Sequence, residues 1–326
     1  ESTEEAQEEK DPLIPEIDTS VEIQAGSRVA VVSKSTSGEF WGLVKKGMEQ
    51  AIADVNEAYG FKKEDQVTMT FEGASDEKDV ESQVNTIDAV IAENPDVLCV
   101  SASDMDSLQA QLEAAKENGI PVVAFDSGVT DSKMVRAFRG TDNTRVGEIA
   151  AYRLATAIGK MGKVAVFSAQ EKTQSIQERV SGFTNYITNY PDIEVVEIVY
   201  QDQVDDMTAA MQEVLDKYPQ LDGVFCDNAD IADLYLDMKK DETKDSIVMV
   251  GVDATAKQQE AIRNAKEVGV VSQQPYAMGY QTIWTALLTT APKKSVEIKR
   301  NVRIDPAWID SSNIDDPTYS SYLYAN

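Results

Sequence analysis

From Arg28 onward, short β-branched runs alternate with amphipathic helical stretches, which restricts the chain to parallel sheets clad in helices. The first unit covers residues 28–56. Val29, Ala30, Val31 and Val32 suit a strand buried on both faces. A small-polar turn from Ser33 to Gly38 leads to Phe40 and Trp41, after which Leu43, Val44, Met48, Ala51, Ile52 and Val55 line one helical face. Further strands are predicted at 66–71, 97–100 and 121–125, with helices at 78–93 and 105–118. Ser103 and Asp104 supply a cap for the second of these helices, and Gly119 supplies its stop.

The pattern then restarts. A strand over 134–140 runs through Thr141, Asp142 and Asn143, good capping residues, into a helix over 144–158. Strands follow at 163–167, 193–200, 223–226, 247–252 and 268–272. Helices are predicted between them and from Pro275 to Leu288. A chain of 326 residues is long for one hydrophobic core, so the restart marks a second lobe. The predicted fold class is α/β, with two Rossmann-like lobes, each a parallel sheet flanked by helices. No residue-level repeat accompanies the topological one. The tail from Asp305, with Trp308, Tyr319, Tyr322 and Tyr324, reads as an aromatic-anchored strap over one lobe.

Charge and composition narrow the function. Thirty Lys and Arg face 57 Asp and Glu, a net charge of −27 that is repelled by phosphate backbones and argues against nucleic-acid partners. Much acid is concentrated in the first eighteen residues, so 1–26 reads as an acidic, disordered tether, and its start at Glu1 as a processed or trimmed form. Histidine is absent, which removes Ser-His-Asp and Cys-His nucleophile systems and imidazole zinc sites. Cys99 and Cys226 lie inside apolar runs and read as buried hydrophobes. No apolar run approaches the length needed to span a bilayer, so the folded part is not expected to insert in a membrane. Asp227, Asp230 and Asp233 read as helix-face carboxylates, and neither a metal nor a cofactor is expected.

Polar residues collect where the strands end. Ser33 follows VAVV, Ser101 and Ser103 follow VLCV, and Asp126 follows PVVAF. Asp227 and Asn228 follow GVFC, Asp253 follows MVGV, and Gln273 and Gln274 follow GVVS. In parallel sheets these carboxyl ends share one edge, so residues scattered along the chain converge on one cleft. Carboxylates and amides beside Phe40 and Trp41 suit a sugar, whose hydroxyls donate in pairs to a carboxylate and whose C–H face packs on an aromatic plane. Arg179, near the start of a helix, completes such a set.

In order, VVSKSTSGEFW, IPVVAFDSG, TDN, ERVSGF, VFCDNAD, VMVGVDA and SQQPYAMG resemble the ribose-type sugar-binding proteins of bacterial ABC importers, of the type I periplasmic binding protein class. These share their core with LacI-type repressor ligand domains. The resemblance covers about 27–303 and implies a three-strand hinge between the lobes. It divides the chain into 27–140 with 274–302 and 141–273 with 303–326. Carried over residue by residue, it implies ligand contacts from Ser33, Phe40, Trp41, Asp126 and Ser127 in one lobe, to which Ser103, read from its strand-end position, is added. Arg179, Asn228, Asp253 and Gln273 are implied in the other, while Asp142 and Asn143 cap a helix at the first crossing. Three departures detach ribose itself. Ser127 stands where the ribose proteins have an Arg, Ser37-Gly38 where they have an Asn, and Val204 where they have an aromatic.

The expected function is therefore an extracytoplasmic solute-binding protein, periplasmic or lipid-anchored at the cell surface. It would act as a monomer that passes a monosaccharide or polyol to the transmembrane subunits of an ABC permease. The alternatives are a module that presents sugar to a chemoreceptor or kinase, and a repressor ligand domain, which lacks a helix-turn-helix before Arg28. No enzyme is expected. A dinucleotide fold would need G-x-G-x-x-G after the first strand, where only Gly38 stands, and an Asp126–Asp253 glycosidase pair is the remaining catalytic option.

Overall fold

The computed structural model describes residues 10–243 and 245–325. β1 (Arg28–Ser33), β2 (Thr68–Gly73), β3 (Val97–Val100), β4 (Val122–Phe125) and β5 (Ala137–Thr141) build one sheet. β6 (Gly162–Ser168), β7 (Ile193–Tyr200), β8 (Gly223–Cys226), β9 (Val248–Val252) and β10 (Gly269–Ser272) build a second. The chain then visits each sheet once more. β11 (Asn301–Ile304) extends the first in parallel beside β5, and β12 (Ala307–Asp310) extends the second antiparallel to β10.

Strand orders are β2-β1-β3-β4-β5-β11 and β7-β6-β8-β9-β10-β12, the same arrangement twice. Nine helices among the described residues cover the faces: α1 (Glu39–Tyr59), α2 (Val80–Ala92), α3 (Gln109–Glu117), α4 (Asn143–Ala157), α5 (Gln174–Ile187), α6 (Met207–Lys217), α7 (Ala229–Met238), α8 (Ala256–Arg263) and α9 (Pro275–Leu288). Every residue of β3, β4 and β8 is buried, as strands sandwiched between helices must be, whereas edge strand β2 alternates exposed and half-buried positions. Two such helix-clad, mostly parallel sheets are the architecture that the resemblance implies. Thr141, Arg303 and Ile304 pair within the first sheet.

Two local expectations are corrected. Residues 1–9 lie outside the described residues, but 10–26 are not a loose tether. Val21 and Ile23 are buried, and Leu13, Ile14 and Ile17 pack on the first lobe's core beside α1 and α9. Five apolar residues spread through an acidic segment suffice to dock it. The helix expected from 105 begins only at Gln109, and neither Ser103 nor Asp104 caps it. Ser103 is occupied otherwise: its amide donates to Gln83, and its carbonyl accepts from Thr173 of the other lobe.

The tail does more than strap one lobe. Ile309 and Ile314 pack with Ile262 and Val270 of the second lobe, while Tyr324 reaches the first lobe's core. Cys99 and Cys226 are free and buried, and burial pushes both thiols up.

Candidate functional site

The carboxyl ends of both sheets face one another across a cavity of about 220 Å³. Pockets for drug-sized ligands run to about 300–1,000 Å³, so this space suits one small ring. Two aspartates mark equivalent corners of it. Asp126 follows β4 and Asp253 follows β9, and both take left-handed backbone, with φ of 62° and 79°. Such geometry is uncommon outside glycine, is best tolerated by Asp and Asn, and clusters at functional sites.

The two corners are wired differently. Asp126 Oδ2 accepts from Ser101 Oγ at 2.7 Å and pairs with Lys34 Nζ at 2.9 Å. Both partners use the same oxygen, so Oδ1 has no donor among the described residues. Lys34 is itself buried and also bonds Ser127 Oγ at 3.2 Å, with Trp41 beneath it at 5.7 Å. Asp253 has no ion pair. Its Oδ1 accepts from Gln273 Nε2 and Tyr324 Oη, each at 2.7 Å, and its Oδ2 accepts from the amide of Ala229 at 2.9 Å.

Around these corners the side chains retain free polar atoms. Arg179 Nε donates to Asn143 Oδ1 and Nη1 to the carbonyl of Asp227, both at 2.9 Å, leaving Nη2 without a protein partner among the described residues. α5 carries Arg179 this close because it meets α4 through glycines. A Cβ on Gly147 would sit 2.1 Å from the Arg179 carbonyl, and one on Gly182 2.3 Å from that of Thr144. Asn228 Oδ1 caps α7 through the amide of Ile231, and its Nδ2 remains free. Asp227 points away, bonded by Ser168 Oγ and the amide of Ala169, and burial pushes its carboxyl up to about 7.

Trp41 closes the first-lobe side, edge-on to Phe40 at 4.9 Å, with its indole Nε1 donating to Glu77 at 2.8 Å. Phe40, Trp41, Asp126, Arg179, Asn228, Asp253 and Gln273 thus line one cavity. Gln273 is fully employed, since its Oε1 accepts from Thr141 Oγ1 at 2.7 Å and ties two hinge crossings together.

Ser33, Ser103 and Ser127 stand outside the lining. Ser33 Oγ bonds the carbonyl of Ser35. The amide of Ser103 is held by Gln83, and its buried hydroxyl has no partner among the described residues. Ser127 meets Ser175 of the other lobe, Oγ to Oγ, at 2.8 Å. It belongs to a band of contacts between the lobes. There the amide of Gly128 donates to Gln174 at 2.7 Å, that of Met105 to the carbonyl of Lys172 at 2.8 Å, and that of Ala256 to Glu39 at 3.0 Å.

Sequence reasoning missed several lining residues. Lys34 was hidden in a small-polar turn, although a lysine directly after a buried strand was a usable signal. Asp230, an exposed residue, and half-buried Asp233 also line the cavity, and Glu39 and Glu77 join them. Tyr324 could not have been placed, lying 71 positions from the carboxylate it touches. Asp142 does cap α4, but Asn143 turns to Arg179. Among the described residues no group of His, Cys, Asp or Glu is arranged to hold a metal ion, and no helix is long and apolar enough to cross a membrane.

Residues 29–291 match the model of the family described as periplasmic binding protein domain. The ribose import binding protein of Bacillus subtilis is 27% identical over 203 residues, covering 62% of this chain and 66% of that protein. A xylitol-binding protein of Mycolicibacterium smegmatis is 23% identical over 60% of the chain and 56% of its own length. The chain spans less than two thirds of the length of these curated relatives. Among solved structures, an ABC transporter solute-binding protein from Agrobacterium vitis with bound D-fucose superposes with a TM-score of 0.82 at 28% identity, covering 91% of this chain and all of that one. Another from the same organism, bound to α-D-tagatopyranose, gives 0.82 at 27% identity over 92% and 100%.

Proposed function

The chain belongs to the periplasmic binding protein domain family, and from that premise we propose that it captures a monosaccharide or polyol between its lobes outside the cytoplasm and delivers it to an ABC permease. The observation that carries this reading is the set of unused polar atoms converging on one ring-sized cavity. Asp126 Oδ1, Arg179 Nη2 and Asn228 Nδ2 belong to nearly buried side chains and have no protein partner among the described residues. Buried polar atoms without partners are costly, so a hydroxylated guest that supplies donors and acceptors stabilises the closed arrangement. Trp41 offers its ring to the guest's C–H face.

Because these polar atoms, an acceptor on one lobe and donors on the other, sit on both sides of the cavity, a bound sugar favours the state in which the lobes meet, and capture follows as a population shift. Asp126 and Asp253 act here as hydroxyl acceptors, and no reaction is assigned to them. The relatives' bound sugars, D-fucose and tagatopyranose, fit the same size class. The test is a thermal-shift panel of pentoses, hexoses, disaccharides and polyols. At a hundredfold excess over Kd a ligand adds about 2.7 kcal/mol of apparent stability. A monosaccharide or polyol should therefore raise the melting temperature by several degrees, and disaccharides should not. No response to any member of the panel overturns the reading.

A further inference from the structure

The cavity carries more negative charge than binding a neutral sugar explains. Six carboxylates line it, from Glu39, Glu77, Asp126, Asp230, Asp233 and Asp253, against the two cations Lys34 and Arg179. Lys34 is consumed by its ion pair with Asp126. Arg179 spends two nitrogens on Asn143 and Asp227. Asp233 accepts one bond from Thr255 and Glu77 one from Trp41, while the carboxylate of Asp230 has no hydrogen-bond donor among the described residues. No lining cation therefore pairs with this acidic wall, and Lys257, which acts on Asp233 from outside the lining, is itself paired with Asp237.

We infer that the ligand is a sugar or polyol bearing a protonated amine, its ammonium directed at Asp230, Asp233 and Glu77 and its hydroxyls at Asp126, Asn228 and Arg179. The inference rests on the sugar-binding reading and narrows it. Two independent observations point to a ligand here: the unpartnered Oδ1 of Asp126, a side chain only 4% exposed, and the enclosed volume that both lobes share. A metal ion is a poor occupant, since no group of ligating side chains among the described residues is arranged to hold one. An ammonium fits better. It presents three donors on a tetrahedral nitrogen and tolerates carboxylates spread around a wall instead of converged on a point.

The acidic wall also shows the strain expected of a site awaiting a cation. Asp230 is pushed up to about 7, first by burial and then by Glu77, Asp253, Asp233 and Asp76. Asp233 is pushed up to about 6 by burial, with Glu39 and Asp237 adding to the rise and Thr255 and Lys257 opposing it. Asp230 lines the cavity but is itself exposed, so solvent moderates that rise. A bound ammonium would lower both values and draw the protons off.

Titration calorimetry on the whole protein, with matched pairs of probes, tests the inference: D-glucosamine against D-glucose, D-galactosamine against D-galactose, and D-mannosamine against D-mannose. One charge-assisted hydrogen bond is worth about a tenfold gain in affinity. At least one amine should bind about tenfold or more tightly than its neutral partner at neutral pH. Asp230→Asn, an isosteric change at an exposed position, should shrink that preference to within about threefold. The preference should also shrink near pH 5, where Asp230 and Asp233 are protonated. If neutral partners bind as tightly as the amines in every pair, the amine inference is overturned and sugar binding stands. If neither member of any pair binds, the amine inference is overturned for hexosamines, and the sugar reading falls only if the thermal-shift panel of pentoses, hexoses and polyols is also silent.

Discussion

The two lobes solve one problem with different chemistry. Each ends a central strand in an aspartate with left-handed backbone, Asp126 after β4 and Asp253 after β9, and each turns that aspartate toward the shared cavity. In the first lobe the carboxylate is steadied by a buried lysine from the end of β1, two strands away. In the second it is held by three neutral donors drawn from the hinge, the tail and the start of α7. The first lobe adds an aromatic wall with Glu39 and Glu77, and the second adds Arg179, Asn228, Asp230 and Asp233. The difference teaches that topology fixes where the acceptors stand, while the loops decide how they are charged.

That contrast should appear most strongly in stability. Removing one member of a buried ion pair leaves the other charge uncompensated, at a cost of about 3–5 kcal/mol. Asp126→Ala should therefore destabilise the protein by that order in urea denaturation, because it strands Lys34. The double change Lys34→Met with Asp126→Asn should recover most of the loss. If the single variant costs under about 1 kcal/mol, the Lys34 pair is not what holds this corner.

Asp253→Ala should cost less stability, about 1–3 kcal/mol, since it strands neutral donors from Gln273, Tyr324 and Ala229. Tyr324→Phe removes one of those donors and should cost about 1 kcal/mol. An equal loss for Asp126→Ala and Asp253→Ala would erase the distinction between the lobes.

Trp41→Phe keeps a ring but loses the indole bond to Glu77. It should weaken sugar binding by about 1 kcal/mol, measured by calorimetry, with little change in melting temperature.

The smallest effect concerns pH. Asp227 and Asp230 are pushed up to about 7 and Asp233 to about 6, all by burial first, against an ordinary value of 3.8. Between about pH 4 and 7 the folded state thus binds more protons at these sites than the unfolded state. Stability contributed by these groups is lost as pH rises through that window and regained on acidification. The ligand-free protein should melt a few degrees higher near pH 5.5 than near pH 7.5, and Asp230→Asn should flatten the slope. A melting temperature that rises with pH over this range would contradict the assignment to these second-lobe carboxylates.

Much of the architecture was legible because hydrophobic period and strand-end chemistry are local. The runs ending in Asp126, Asn228 and Asp253 could be aligned on one edge from topology alone, and all three side chains line the cavity. What was not legible depends on tertiary contact. Lys34 takes its meaning from Asp126, 92 positions on in sequence, and the Ser103 cap failed because the other lobe claims that backbone. The segment over 10–26 looked disordered because its charge outweighs its few apolar residues. Those few, Val21 and Ile23 among them, land on a core that only the finished fold provides.

The central claim is that one hydroxylated ligand bridges both lobes in this cavity, and a crystal structure of the protein with its tightest-binding sugar tests it most directly. The account predicts the ring against Trp41, hydroxyls within hydrogen-bond distance of Asp126 Oδ1 and Arg179 Nη2, and no room for a second ring. A sugar seated outside this cavity, or touching side chains of one lobe only, would contradict it.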